Sequence, residues 1–125
     1  MIKKSIFAVL TSVFMICGIP ANAHHSLGAT YKMDETLQLD GSIVQFLFRN
    51  PHSFLHVEAP DEDGVMQRWS LEWRGAGSLR AEGFGRSVLR VGDEVTVTMN
   101  PSRSTSDFRG ALVTLHRESD GLGWG

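Results

Sequence analysis

Cysteine is nearly absent from this sequence. Its one example, Cys17, lies inside an apolar run near the start. A disulfide framework and a cysteine nucleophile are both excluded, and so is a thiolate metal site. The residues before Cys17, Met15 and Ile16, are not the small ones a lipid-anchor signal wants. Charge of one sign is also lacking. The formal net charge is −2, which argues against nucleic acid or an anionic membrane surface as partner. The apolar run near the start is too short to span a bilayer, which takes about 20 residues, and no second long one follows. There is no internal repeat, no low-complexity segment, no phosphate-cradling glycine loop followed by Lys-Ser/Thr, and no serine in a nucleophile-elbow pattern. Nothing marks an enzyme, and no catalytic residue is assigned.

What the sequence does have begins at its first residue. Lys3 and Lys4 give a short basic start, Ile6 to Ile19 is almost wholly apolar, Pro20 breaks the run, and Ala21-Asn22-Ala23 follows. Basic, apolar and small-x-small regions in this order predict a cleaved secretory signal peptide over 1–23, and with it a periplasmic or secreted protein. The mature chain, 24–125, then has no cysteine in an oxidising compartment, so a packed core must hold it together. Its length suits one domain. The expected organisation is a lead segment over 24–35, a β domain over 36–118 and a flexible tail over 119–125.

The period of the hydrophobic pattern is two throughout that domain. Thr36 to Arg49 alternates, with a change of phase after Gly41, and predicts one long, bent or bulged strand ended by Asn50-Pro51. Ser53 to Ala59 and Val65 to Trp73 flank Asp61-Glu62-Asp63-Gly64, a hairpin signal. A glycine-rich stretch follows, in which Ser78 could cap a short helix over Leu79 to Glu82. Glu94 to Met99 and Ala111 to His116 complete the set. In the last strand Ala111, Val113 and Leu115 are expected inside, with Leu112, Thr114 and His116 outside. Three strands, a short helix and two more strands, opened by a long bent strand, predict an all-β, five-stranded OB-like barrel. The other arrangement this order allows is a small open β-sandwich or roll.

Five histidines belong to the mature chain: His24, His25, His52, His56 and His116. Cleavage after Ala23 would give His24 the free α-amino group. That amine and the ring of the same residue can chelate one metal ion, and His25 adds a second imidazole. His52, next to the stiff Asn50-Pro51 turn, is the ligand expected from the body. Nitrogen-rich donor sets of this kind suit Cu(II), so copper is the expected metal. His52 and His56 cannot share an ion on an extended strand, because four residues separate them by roughly 13 Å. The alternative is an OB-like interaction module that binds a periplasmic protein partner or a small ligand, with the histidines incidental. Asp61 to Gly64 reads as a turn and not a Ca(II) loop. Trp69 and Trp73 share parity with Leu71 and read as core. The arginines Arg68, Arg74, Arg80, Arg86 and Arg90 read as scattered surface charge.

These pieces together resemble domain-of-unknown-function family six-one-five-two, a set of short exported bacterial proteins. The resemblance rests on His24-His25-Ser26, Asn50-Pro51-His52, Asp61 to Gly64, Trp69 to Glu72 and Leu89 to Val97. It implies a small periplasmic β domain whose signature includes both histidine motifs. The family pattern has a tryptophan two residues before the Asn; Phe48 stands there in this chain.

Overall fold

The computed structural model describes residues 27–125. Its longest strand, β1 (Leu37–Leu47), serves two neighbours. Residues 37–42 pair with β4 (Glu94–Pro101), and residues 42–47 pair with β2 (His52–Pro60). β2 continues into β3 (Met66–Arg74) through the Asp61–Gly64 turn, and β4 pairs with β5 (Arg109–Arg117). A parallel contact between β3 and β5, with Ser70 opposite Arg109 and Leu71 opposite Gly110, closes a five-stranded barrel. The expected all-β, OB-like architecture is the one observed.

Two features let one strand turn the corner. At Gly41 a Cβ would run into the Glu58 carbonyl oxygen and stand 2.9 Å from Ala59 Cβ, so only glycine lets β2 approach so closely. Three residues later a bulge at Val44 shifts the register from Ile43–Val57 to Gln45–His56. The phase change therefore falls after Ile43, not directly after Gly41: Leu39 and Ile43 stay inside on one parity, and Phe48 is inside on the other.

The barrel is filled by Leu55, Val57, Leu71, Val97, Met99 and Leu115, none more than 2% exposed. Trp69 and Trp73 join them, so the tryptophans are core, as their parity indicated. Trp69 donates its indole N–H to the Ala59 carbonyl at 3.2 Å. Asp61 holds the hairpin by accepting from the N–H groups of Asp63 and Val65 and from Gln67 Nε2, at 2.9 to 3.0 Å. Its carboxylate is spent on the turn. Gly64 takes a φ of +76° there.

Several expectations need correction. Val65 lies outside the strand and is 55% exposed. A second bulge, at Val113, turns that residue outward and Leu112 inward, the reverse of simple alternation. The helix, α2 (Ala76–Ala81), starts earlier than expected and is capped by Gly75, not Ser78. The lead segment is not featureless, because it holds the short α1 (Leu27–Thr30) and the fully buried Tyr31, which bridges to Ser102. The tail is not loose either. Leu122–Trp124 form β6 on the edge of β5, and Trp124 meets Trp73 edge-on at 5.0 Å and donates to Glu82 at 2.6 Å.

Candidate functional site

The Asn50-Pro51-His52 turn joins β1 to β2, and each residue of it has a structural reason. The Asn50 side-chain oxygen accepts the Gly77 N–H at 3.1 Å, satisfying an open donor in the first turn of α2. Ala76 donates to the Arg49 carbonyl at 3.0 Å. Pro51, joined to Asn50 by a cis peptide, packs its backbone against Gly75, where a Cβ would come 2.5 Å from the Pro51 oxygen. Ser53, fully buried, accepts from the Arg49 N–H and donates to the Arg49 carbonyl at 3.2 Å. The turn is thus held from both sides, and His52 stands at its exit as the first residue of β2.

Beside His52 is a carboxylate that parity alone did not single out. Glu72 of β3 places Oε1 3.2 Å from His52 Nδ1. Its other oxygen, Oε2, accepts the Tyr31 hydroxyl at 2.5 Å. Glu72 is 18% exposed and His52 49%, so the chain Tyr31–Glu72–His52 runs from the interior to the surface. Burial, then the Glu72 carboxylate, raises the Tyr31 phenol well above its ordinary value, so it stays a donor. With Nδ1 turned to a carboxylate, the Nε2 of His52 is the ring atom left to meet a ligand. The sequence carried one clue to Glu72, its place in the Trp69-to-Glu72 segment. It carried none to Tyr31.

His56 lies on the same β2 face as His52, four extended residues on, so the two do not converge on one point. Its Nδ1 accepts from Arg68 Nε at 3.2 Å. Burial, and then the charges of Arg68 and Arg49, lower its pKa from the ordinary imidazole value. His116 is exposed on β5, opposite Thr96. His24 and His25 lie outside the described residues. Among the described residues no three His, Cys, Asp or Glu side chains come together as a metal cluster.

Residues 13–110 match the Family of unknown function (DUF6152). The chain belongs to this family. The match takes in the N-P-H turn, Glu72 and Tyr31, and it covers the barrel up to the start of β5. Neither the curated proteins nor the solved structures contain a match to the chain.

Proposed function

We propose that this DUF6152 protein is a small exported module that binds a transition metal, copper for preference, through the mature N-terminus and His52. The observation that carries the reading is the Tyr31–Glu72–His52 chain. A metal-binding histidine characteristically gives its second ring nitrogen to a carboxylate, which fixes its orientation and raises its basicity. Glu72, 3.2 Å from Nδ1, fixes the orientation of His52 in this way. The same carboxylate holds Tyr31, and so fastens the segment that leads back to His24 and His25 beside the histidine they would join. From Tyr31 the chain runs back through α1 to Leu27, and His25 is two residues before that, a reach of up to about 7 Å beyond the helix at extended-chain length. The ligands proposed to join His52 at Nε2 are the terminal amine and ring of His24, or the ring of His25.

Cu(II) suits amine and imidazole donors in a planar set, and Zn(II) a tetrahedral one. The role that fits a site exposed at the surface, with one ligand set by cleavage, is storage, delivery or sensing. The test is calorimetric titration with Cu(II) and Zn(II) of protein whose N-terminus has been confirmed by mass spectrometry. The expected result is one-to-one Cu(II) binding well below micromolar Kd, lost sharply in His52→Ala and unchanged in His116→Ala. Retention of one residue before His24 separates the amine from its ring and should abolish the chelate. Weak binding at several sites, indifferent to His52, would reject the reading.

A further inference from the structure

The outer face of β1, β2 and β3 gathers arginines that the sequence scatters. In cross-strand register Gln45, His56 and Ser70 form one row, and Leu47, Phe54 and Glu72 form the next. Arg68 reaches across the first row, donating from Nε to His56 Nδ1 at 3.2 Å and from Nη2 to Gln45 Oε1 at 2.6 Å. Arg49 enters from the turn and lies over the Phe54 ring, its Cζ 5.2 Å from the centroid. The charges of both arginines act on His56.

Among the described residues neither Arg49 nor Arg68 forms an ion pair. The acids nearest in register do not neutralise them. Glu58 stands opposite Arg68 yet makes no ion pair with it, and Glu72 is engaged by Tyr31 and His52. Because His56 Nδ1 accepts, its Nε2 carries the proton when the ring is neutral and is a donor. The face thus offers the fork of Arg49, the free N–H groups of Arg68 and one imidazole N–H beside an aromatic ring. Two unpaired guanidiniums around a histidine on a chain of net negative charge repel one another, and an anion between them removes that repulsion. Guanidinium forks match the paired oxygens of phosphate and carboxylate groups. The β2–β3 face is also where OB barrels place their ligands.

We infer that Arg49, His56 and Arg68 form an oxyanion-binding site, taking the phosphate or carboxylate group of a ligand whose apolar part lies against Phe54. The site does not depend on the metal reading, since it uses neither His52 nor the N-terminus. Gln45 from β1, His52 and Glu58 from β2, Ser70, Glu72 and Arg74 from β3, and Arg109 from β5, opposite Ser70, are the other polar groups on this face. Arg74 is paired with Glu82, Arg109 adds positive charge at the edge of the face, and Glu58 and Glu72 face an anion with like charge, so the anion's direct partners are Arg49, Arg68 and the His56 Nε2–H. His56 meets the anion through its Nε2–H as a neutral ring, because a second proton would fall on Nδ1 and break the bond from Arg68.

The test is an NMR titration of the protein with inorganic phosphate and, separately, with citrate, at constant ionic strength. Saturable one-to-one binding is expected, with shifts confined to Arg49, Phe54, His56 and Arg68. Arg49→Gln and Arg68→Gln, both at exposed positions, should each weaken it at least about tenfold, as loss of one charged hydrogen-bond partner does. Tighter phosphate binding assigns a phosphoryl ligand, and tighter citrate binding a carboxylate; either supports the site. The inference is overturned if neither anion saturates below ~10 mM, or if both variants bind as the parent does.

Discussion

Tyr31 donates its hydroxyl to Glu72 Oε2 at 2.5 Å, and this bond ties the N-terminal lead to the β2–β3 face. The phenol is fully buried and the carboxylate largely so. Removing the hydroxyl leaves one carboxylate oxygen short of its donor, a cost of about 1–3 kcal/mol. Tyr31→Phe should therefore lower stability to urea by that amount. It should also speed proteolytic cleavage before Leu37, because the lead has lost its polar anchor. A variant that unfolds and is cleaved as the parent is would show that ring packing alone holds the lead.

Glu72 makes a separate prediction on affinity. If it orients His52 for a metal, Glu72→Gln should weaken Cu(II) binding by about 10–100-fold, the usual effect of removing such a partner. The barrel remains folded, since Glu72 points away from the core formed by Leu71 and Trp73. Calorimetry beside a circular dichroism melt separates the two effects. Unchanged affinity in a folded variant would sever Glu72 from the metal reading.

Gly41 is the position at which the barrel tolerates least. A methyl group there meets the Glu58 carbonyl and the Val57 and Ala59 side chains, all on the strand that must pair with the second half of β1. Backbone cannot step aside as a flexible side chain can. Gly41→Ala should cost about 1–3 kcal/mol as overpacking, lowering Tm by roughly 4–8 °C per kcal/mol in a domain of this size. Gly85, with open space around it, should accept alanine with little change, and a melt of each variant makes the comparison.

The barrel was legible because its strands alternate and its first strand announces a bend. The points that were not legible have a common cause. Bulges at Val44 and Val113 insert one residue into a ladder, and a period-two pattern cannot say which residue is the extra one. Hence Leu112 and Val113 exchanged faces. The site shows the same limit. His52 was visible as a residue type beside a stiff turn, and the turn is indeed pinned by Asn50 and Gly75. Glu72 and Tyr31 come to it from 20 residues after and 21 before, through strand pairing and a single side-chain bond. Local pattern carries no trace of either. The clustering of Arg49 and Arg68 was hidden for the same reason.

Trp124 shows what a short tail can contribute. It meets Trp73 edge-on, lies 5.5 Å from Arg74 Cζ and donates to Glu82 at 2.6 Å, joining β6, β3 and the end of α2. Aromatic pairs add about 0.5–1.5 kcal/mol beyond their burial. Because it is only partly buried, Trp124→Ala should cost about 2–3 kcal/mol, below the roughly 3–5 kcal/mol of fully buried aromatic deletions. Chemical denaturation measures this directly. A change within about 0.5 kcal/mol, as at ordinary surface positions, would mean that β6 adds nothing to the barrel.

Acid should weaken the protein in two separable stages. His56 is held below the ordinary imidazole value by burial, then by Arg68 and Arg49. Above the unfolded value, about 6.5, both states are neutral and His56 adds no slope. As pH falls below it the unfolded chain takes up the proton first, so stability declines until the folded histidine also titrates. Asp120 acts lower down. The Arg117 hydrogen bonds, then the Leu122 N–H, hold its carboxyl at about 2. The stability it contributes is complete above the unfolded value of 3.8 and is lost as pH falls toward 2. Melting temperature measured across the acid range should therefore lose its upper slope in His56→Gln and keep its lower one. Asp120→Asn should keep the upper slope and reduce the lower one, to which Asp61 and Glu82 also contribute because hydrogen bonds hold their carboxyls below the ordinary value. If His56→Gln leaves the slope below neutrality as steep as before, the histidine is not held low by its burial and the neighbouring arginines.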